Sequence, residues 1–153
     1  MAAPTFGSIA VAVDGSTHAS QALEVAIDLA KKYESELALI AVAPLIPLYL
    51  ASSEAWIPAE IPEAETKMFR QIVDQGVAKA KAAGVGTVTG VCLEGVIVDE
   101  LLGWVEAHPV DLLVVGSRGL STAKRLLLGS VSDAIAHHVN CPLLIVRAPG
   151  PAA

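Results

Sequence analysis

Five short apolar runs alternate along this 153-residue chain with four longer segments of helical periodicity. The apolar runs are residues 8–13, 37–42, 86–93, 110–115 and 142–146, and the helical patterns are residues 17–32, 62–83, 95–108 and 130–139. Strands that alternate with helices predict a parallel sheet with right-handed crossovers. We therefore expect an α/β fold of the doubly wound, Rossmann-like class, with five parallel strands and helices on both faces.

The composition suits a sheet that is covered on both faces. Hydrophobic residues make up 54% of the chain and charged residues 17%, which is typical of buried parallel strands. We expect a single domain over residues 1–148 and a loose tail over residues 149–153. Residues 43–61 contain three prolines without a clear period and are predicted to form a long loop. Such a loop is a functional surface or a tolerated insertion.

Charge and cysteine usage exclude several function classes. The net charge of −6 argues against binding to nucleic acid or to an acidic membrane surface. We find neither a secretory leader pattern nor an apolar run that could span a bilayer, so the expected location is the cytoplasm. Cys92 and Cys141 have no metal-ligand spacing and are predicted to be buried, reduced thiols. The four histidines show no metal-binding spacing either.

The fold class itself predicts the place of the ligand site. Doubly wound sheets bind ligands beyond the carboxyl ends of their strands, where the strand order reverses. Asp14, Val42 with Ala43, and Gly116 stand at the ends of the first, second and fourth predicted strands. If the first and fourth strands are neighbours, the loops that carry these residues converge.

The glycines after the fourth strand favour a phosphate site. Gly116, Gly119 and Gly129 would let the backbone approach a pyrophosphate closely, and Ser130 could add a hydroxyl at the start of the last helix. Ser132 could supply a second hydroxyl. Asp or Glu is absent from residues 112–132, whereas that window contains three basic residues, Arg118, Lys124 and Arg125. This basic window is a small-anion site or an ordinary solvated loop.

Two of these features also have purely structural interpretations. Ser130 and Asp133 have the spacing of a helix capping box, and Asp14-Gly15-Ser16 is a common turn sequence in which Asp bonds its own backbone. The chain has no GxxxxGK[ST] sequence, so it is not a P-loop NTPase. Gly84, Gly86 and Gly90 lead from a helix into a strand, the reverse of the order in a dinucleotide site.

The spacing Gly116-x2-Gly119-x9-Gly129-Ser130 matches the G-x2-G-x9-G-[ST] signature of ATP-binding universal stress proteins, and the chain resembles that family over nearly its whole length. The opening run from Ile9 to Ser16 resembles the family's first strand and turn. Further similar segments are residues 41–44, 94–95, 111–116 and 141–147. Ala41 departs from the pattern, because members commonly have His at this position.

The resemblance implies a sheet in the order 3-2-1-4-5 and a set of site residues. Residues that match Asp14 and the backbone of Val42 would hold adenosine, with Ala12 and Val115 lining the pocket. The phosphates, with Mg²⁺ or Mn²⁺ bridging them, would be surrounded by Gly116, Arg118, Gly119, Gly129, Ser130, Val131 and Ser132. The family also implies a homodimer through the edge strand from Leu143 to Arg147.

These observations favour an ATP-binding regulator of the stress response over an enzyme. The motif supplies neither a general base nor a pair of carboxylates, so at most slow ATP hydrolysis is expected, and no catalytic residue is assigned. One alternative is a cyclic AMP-binding member of the same fold, and another is a dimeric interaction module that binds no nucleotide. An adenylating hydrolase of the related superfamily is disfavoured, because the first strand leads into Val13-Asp14-Gly15-Ser16 instead of an SGGxD-type loop.

Overall fold

The computed structural model describes residues 6–44, 60–118 and 128–148, with side chains of the second helix described from residue 65 onward. This part of the chain contains strands β1 (Ser8–Ala12), β2 (Glu36–Pro44), β3 (Thr87–Gly95), β4 (Leu112–Gly116) and β5 (Leu143–Val146). The helices are α1 (Thr17–Tyr33), α2 (Glu60–Ala83), α3 (Ile97–Ala107) and α4 (Ser130–His138). All strand pairs are parallel and the order is β3-β2-β1-β4-β5. The predicted fold class and strand order are confirmed.

Each face of the sheet has its own hydrophobic core. Successive strand residues point to opposite faces, so Ile9 and Val11 of β1 pack under α1 and α2, while Ala10 packs with residues of α3 and α4. Leu113 and Val114 of β4 divide in the same way and are both fully buried. Two-sided burial explains why the strands read as continuous apolar runs in the sequence.

Helix α1 begins immediately beyond the turn that follows β1. Ser16 is its N-cap, and the Ser16 hydroxyl oxygen accepts a hydrogen bond from the Ala19 amide at 3.2 Å. This bond satisfies one of the amides that lack an acceptor at a helix start. Alanine and leucine residues at helical spacing then form the face that packs on the sheet.

Strand β2 is longer than the predicted run of residues 37–42 and extends to Pro44. Ile40 directs its carbonyl toward β1, where it accepts from the Val13 amide at 2.9 Å. Pro44 lies four residues further on and therefore faces the same side. Because β1 has already ended there, the missing N–H of proline removes no ladder bond.

Helix α2 starts at Glu60, two residues before the predicted start. Pro62 falls in its first turn, where an amide would have no intrahelical acceptor, so the proline is tolerated. The predicted loop at residues 43–61 is therefore shortened at both ends by regular structure. Its remaining residues, 45–59, lie outside the described part of the chain, as does the predicted tail at residues 149–153.

Gly95 ends β3 instead of opening α3 as predicted. Its φ of +147° is a conformation that side chains rarely adopt, and a Cβ there would lie 2.8 Å from Cγ of Glu100. Helix α3 begins at Ile97, with Val96 as its N-cap. The other element boundaries differ from the prediction by one or two residues, which is the usual uncertainty of helix and strand ends.

Both cysteines carry free thiols and are partly buried, so the prediction of full burial is wrong in degree. Cys92 lies on β3, the strand at one edge of the sheet, and Cys141 precedes β5 at the other edge. Burial raises the pKa of both thiols. Because the thiolate is the nucleophilic form, both side chains are poorly reactive at neutral pH.

Candidate functional site

The strand order reverses between β1 and β4, and those predicted site residues that the structure describes lie near the carboxyl ends of these strands. These strands are neighbours, with Ile9 opposite Leu112 and Val11 opposite Val114. Their carboxyl ends therefore open side by side, with the turn at Asp14 next to the segment that begins at Gly116. Crevices of this kind are where open α/β sheets bind ligands.

The Asp14 carboxylate helps to form the turn after β1. Its Oδ1 accepts a hydrogen bond from the Ser16 amide at 2.8 Å, which is the local turn contact that an Asp-Gly-Ser sequence favours. Gly15 has a φ of +84°, and a Cβ there would lie 3.1 Å from Cδ1 of Ile72. The turn interpretation of Asp14 is thus confirmed. The turn contact occupies Oδ1 of Asp14. The other carboxylate oxygen, Oδ2, has no hydrogen-bond partner within the described residues.

Three apolar residues near this edge share one face of the sheet. Ala12, which is half-buried at the end of β1, and the buried Val115 pack with the core beneath α3 and α4. Val42 lies two residues beyond Ile40 of the same core, so its side chain points to that face as well. Ala12 and Val115, which were expected to line an adenosine pocket, are therefore on a common side of the sheet, whereas Val42 was expected to contribute its backbone.

Gly116 is required by helix packing at this place. A Cβ on Gly116 would lie 2.7 Å from the carbonyl carbon of His18 and 2.9 Å from the Ala19 nitrogen. These are backbone atoms of α1, which cannot move aside as a flexible side chain could. Glycine at position 116 thus allows α1 to cross close over the end of β4, a reason that the sequence did not suggest.

Ser117 connects the end of β4 to the start of α4. Its carbonyl oxygen accepts from the Gly129 amide at 2.7 Å and from the Ser132 hydroxyl at 2.7 Å. Both Ser117 and Ser132 have only 3% of their surface exposed. The hydroxyl hydrogen of Ser132 is therefore used within the protein, and we assign this hydroxyl a structural role in the described state.

Helix α4 presents its N-terminus toward the same edge without a side-chain cap. Gly129 is the N-cap residue, and among the described residues no side chain accepts a hydrogen bond from the first amides of this helix, although the Ser132 hydroxyl lies 3.2 Å from the Gly129 carbonyl oxygen. Ser130 is the first helical residue and is exposed, so the Ser130–Asp133 capping box is not formed. The amides of Ser130, Val131 and Ser132 precede the first intrahelical bond, from Asp133 to Gly129. Amides in this position, together with the helix dipole, attract anions.

Some of the predicted site lies outside the described residues. Gly119, Lys124 and Arg125 belong to residues 119–127, of which the structure describes nothing. Arg118, the last residue described before that segment, is partly buried beside the N-cap, with its Cα 3.2 Å from the Cβ position of Gly129. The basic window is therefore seen only at its two ends.

The sequence did not predict a role at this site for two residues, Ser117 and His18. The Ser117 hydroxyl lies 2.8 Å from Nδ1 of His18. Ser117 stands between Gly116 and Arg118, so a small polar residue directly after a buried strand was the available signal. The sequence gave no signal for His18, because its contacts are with residues 99 and 130 positions away in the chain.

Other site types find no support within residues 6–44, 60–118 and 128–148. In those ranges no three His, Cys, Asp or Glu side chains are grouped as metal ligands. A shallow cavity of about 330 Å³ lies at the other end of the strands, between the carboxyl ends of α3 and α4 and next to the segments that lead into β4 and β5. None of the helices in those ranges is long and apolar enough to cross a membrane.

Known proteins resemble this chain along almost its full length. A profile of the universal stress protein family matches residues 5–147. Universal stress protein YxiE of Bacillus subtilis is 33% identical over 148 residues, covering 93% of this chain and 99% of that relative. The structure of universal stress protein UspA from Lactobacillus plantarum has a TM-score of 0.80 at 20% identity, covering 95% of this chain and 100% of that one.

A second solved structure, of a universal stress protein in complex with cAMP, has a TM-score of 0.70 at 27% identity. It covers 95% of this chain and 100% of that chain. Because the Lactobacillus protein has only 20% identity, its structural similarity supports the fold alone. The family profile and the Bacillus relative both match nearly the full length of the chain, and both indicate the same family. The chain therefore belongs to the universal stress protein family.

Proposed function

We propose that this chain binds an adenine nucleotide, with ATP as the first candidate, at the carboxyl ends of β1 and β4. The observation that carries the proposal is the N-terminus of α4, which is uncapped in the described structure and lies beside the strand end at Gly116. The amides of Ser130, Val131 and Ser132 supply donors for phosphate, and the helix dipole adds about 0.3–1 kcal/mol for a negative charge.

The rest of the nucleotide fits the neighbouring residues. Oδ1 of Asp14 is occupied by the turn, so Oδ2 is the oxygen that would accept from a ribose hydroxyl. The apolar side chains of Ala12 and Val115 lie on one face of the sheet and would line the adenosine pocket, and the backbone of Val42 would hold the adenosine. The site residues proposed from the family resemblance, including Arg118 and Gly119, complete the phosphate end.

A divalent cation, Mg²⁺ or Mn²⁺, would be held through the phosphates of the nucleotide. Such ions commonly bind substrate phosphates with few protein ligands, and the described residues offer no cluster of three ligating side chains. When bound, the ion would neutralise phosphate charge. The chain's own residues would position the nucleotide, and slow hydrolysis at most is proposed, because no residue is placed as a general base.

A cyclic nucleotide is the second candidate, because a similar universal stress protein was solved in complex with cAMP. The two ligands share adenosine and differ in the number and geometry of their phosphates. In either case the proposed role is a cytoplasmic, nucleotide-dependent sensor or regulator in the stress response. A dimeric interaction module without nucleotide is the remaining alternative.

Calorimetric titration of the purified chain with ATP plus Mg²⁺, with cAMP and with GTP tests this proposal. We expect saturable binding of an adenine nucleotide and little binding of GTP, which controls for charge alone. Mass spectrometry of nucleotide released from freshly purified protein gives the ligand that was retained. Failure of every adenine nucleotide to bind at millimolar concentration would overturn the proposal and favour the interaction module.

We also propose a homodimer formed by pairing of β5 strands. Strand β5 is an edge strand whose residues are all half-buried in the single chain. Pro142 and Val146 direct their carbonyls toward β4, so Leu143 and Ile145 direct their backbone polar groups toward the open edge. An edge that pairs with no other strand of the described residues is a template for a second strand.

Replacement of Ile145 by proline should make the protein monomeric without unfolding it. The substitution removes an N–H from the open edge and leaves the bonds to β4 in place. Sedimentation should give twice the 15.7 kDa chain mass for the wild type and for the Ile145→Val control, and the single mass for Ile145→Pro. A dimer that persists in Ile145→Pro would exclude this strand pairing.

A further inference from the structure

The imidazole of His18 lies where three segments of the chain meet. His18 is in the first turn of α1, and its Nδ1 accepts a hydrogen bond from the Ala148 amide at 3.0 Å. The same nitrogen lies 2.8 Å from the hydroxyl oxygen of Ser117. One side-chain atom thus contacts the residue after β4 and the residue that follows β5 by two positions.

Both contacts use the single lone pair of Nδ1, so the two donors share one acceptor. Because the Ala148 amide donates to Nδ1, this nitrogen carries a lone pair, and the ring hydrogen is on Nε2. The Ser117 hydroxyl then donates to Nδ1 as well, since a bare nitrogen cannot donate to it. The contacts therefore depend on an acceptor at the δ position of residue 18.

Ser117 passes this constraint on to the N-terminus of α4. Its amide donates to the Val146 carbonyl at 2.8 Å, and its carbonyl accepts from the Gly129 amide and the Ser132 hydroxyl. A buried residue with bonds from its amide, carbonyl and hydroxyl has little freedom to shift. The position of the α4 start is thus tied through Ser117 to His18 and to the end of β5.

We propose that His18 is a positioning residue for the phosphate end of the nucleotide site, an inference that rests on the function proposed above. Its δ acceptor holds Ser117, and Ser117 holds Gly129 and Ser132 so that the amides of α4 face the ligand. His18 acts through these contacts and does not itself touch the ligand. The same nitrogen fastens Ala148, so the segment after the edge strand β5 is coupled to the site.

Asparagine and glutamine at position 18 separate this role from simple packing. In His18→Asn the side-chain oxygen can take the place of Nδ1, whereas the polar groups of His18→Gln lie one bond further out. We expect ATP affinity to fall about tenfold in His18→Ala and in His18→Gln, as for the loss of a partly buried hydrogen bond. His18→Asn should recover affinity to within about threefold of the wild type.

Amide hydrogen exchange at Ala148, followed by NMR in the absence of nucleotide, gives a second measurement. Exchange at Ala148 should accelerate in His18→Ala and His18→Gln and stay slow in His18→Asn, because the acceptor for this amide is lost only in the first two. Exchange at core amides of β1 reports whether each variant is folded. A variant that loses protection throughout is replaced in the comparison by Ser117→Ala, which removes only the hydroxyl contact and should lower affinity in the same direction.

The outcomes distinguish this inference from the proposed function. If the wild type binds ATP and His18→Ala, His18→Gln and His18→Asn bind equally well, the positioning role is wrong and the nucleotide site stands. Equal losses in folded Asn, Gln and Ala variants would also overturn it, because the δ acceptor would then be irrelevant. If the wild type binds no adenine nucleotide, the proposed function fails and this inference falls with it, whatever the exchange at Ala148.

Discussion

Replacing Gly129 by aspartate should lower the affinity for ATP at least about a hundredfold while leaving the stability of the fold nearly unchanged. A hundredfold corresponds to about 2.7 kcal/mol, which is the scale expected when a fixed negative charge occupies a phosphate site. Gly129 is the N-cap of α4, and an aspartate there would accept from the amides of residues 131 and 132. The carboxylate would thus be an internal competitor of the phosphates.

The free energy of unfolding should change little in Gly129→Asp, because two small effects oppose each other. Aspartate is a better N-cap residue than glycine by a few tenths of a kcal/mol. The added Cβ would lie 3.2 Å from Cα of Arg118 and 3.4 Å from the Ser117 carbonyl oxygen, which requires a small shift. We expect a net change within about 0.5 kcal/mol, measured by urea unfolding without nucleotide.

Gly129→Asn is the matched control for charge. It has the same shape and also caps the helix, but it lacks the negative charge that repels phosphate. Calorimetry should show a smaller loss of ATP affinity for Gly129→Asn than for Gly129→Asp. If a folded Gly129→Asp variant bound ATP as tightly as the wild type, the phosphates would not bind at the N-terminus of α4.

Gly116→Ala should destabilise the protein by about 1–3 kcal/mol, the usual cost of forcing extra volume into a packed region. The new methyl group would meet the backbone of His18 at 2.7 and 2.9 Å and the nitrogen of Ala19 at 2.9 Å. Relief requires α1 to move away from the sheet. Urea unfolding should therefore show a lower midpoint with an unchanged slope.

Gly103→Ala provides the opposite control in the same experiment. Gly103 lies within α3, and a Cβ there would have no atom within 4 Å. Alanine is the better helix former, so this variant should be more stable by about 0.5–1 kcal/mol. If Gly116→Ala were as stable as the wild type, the close approach of α1 to β4 would not be the reason for glycine at position 116.

The fold was predictable because its main signals are local. The strands around Val11 and Val114 are continuous apolar runs, and the helix face of Ala22 and Ala26 repeats at helical spacing. A helix that is buried on one face and a strand that is buried on both faces each produce a characteristic spacing of apolar residues, which can be identified directly in the sequence. The neighbouring positions of the β1 and β4 ends were predictable as well, because strand alternation indicates where the ends of parallel strands meet.

The particular contacts of the site were less predictable, because they join distant parts of the chain. Gly116 was interpreted as a residue for phosphate approach, yet its surroundings are the backbone of α1. Ser132 was expected to offer a hydroxyl to phosphate, yet its hydrogen bonds to Ser117, fifteen residues away. The proposed capping box failed for a similar reason, since Gly129 took the cap position through its own bond to Ser117. The spacing of residues within a short segment does not indicate which distant residues will become its hydrogen-bond partners.

The bond between His18 and Ala148 also bears on how the protein is made. These residues are 130 positions apart, so every residue between them must leave the ribosome before the contact can form. Contacts of such long range form late, after the entropy of closing the loop has been overcome. A nucleotide held by this arrangement would stabilise only the finished fold. In a cell, ligand supply would therefore affect the survival of completed molecules and not the folding of nascent ones.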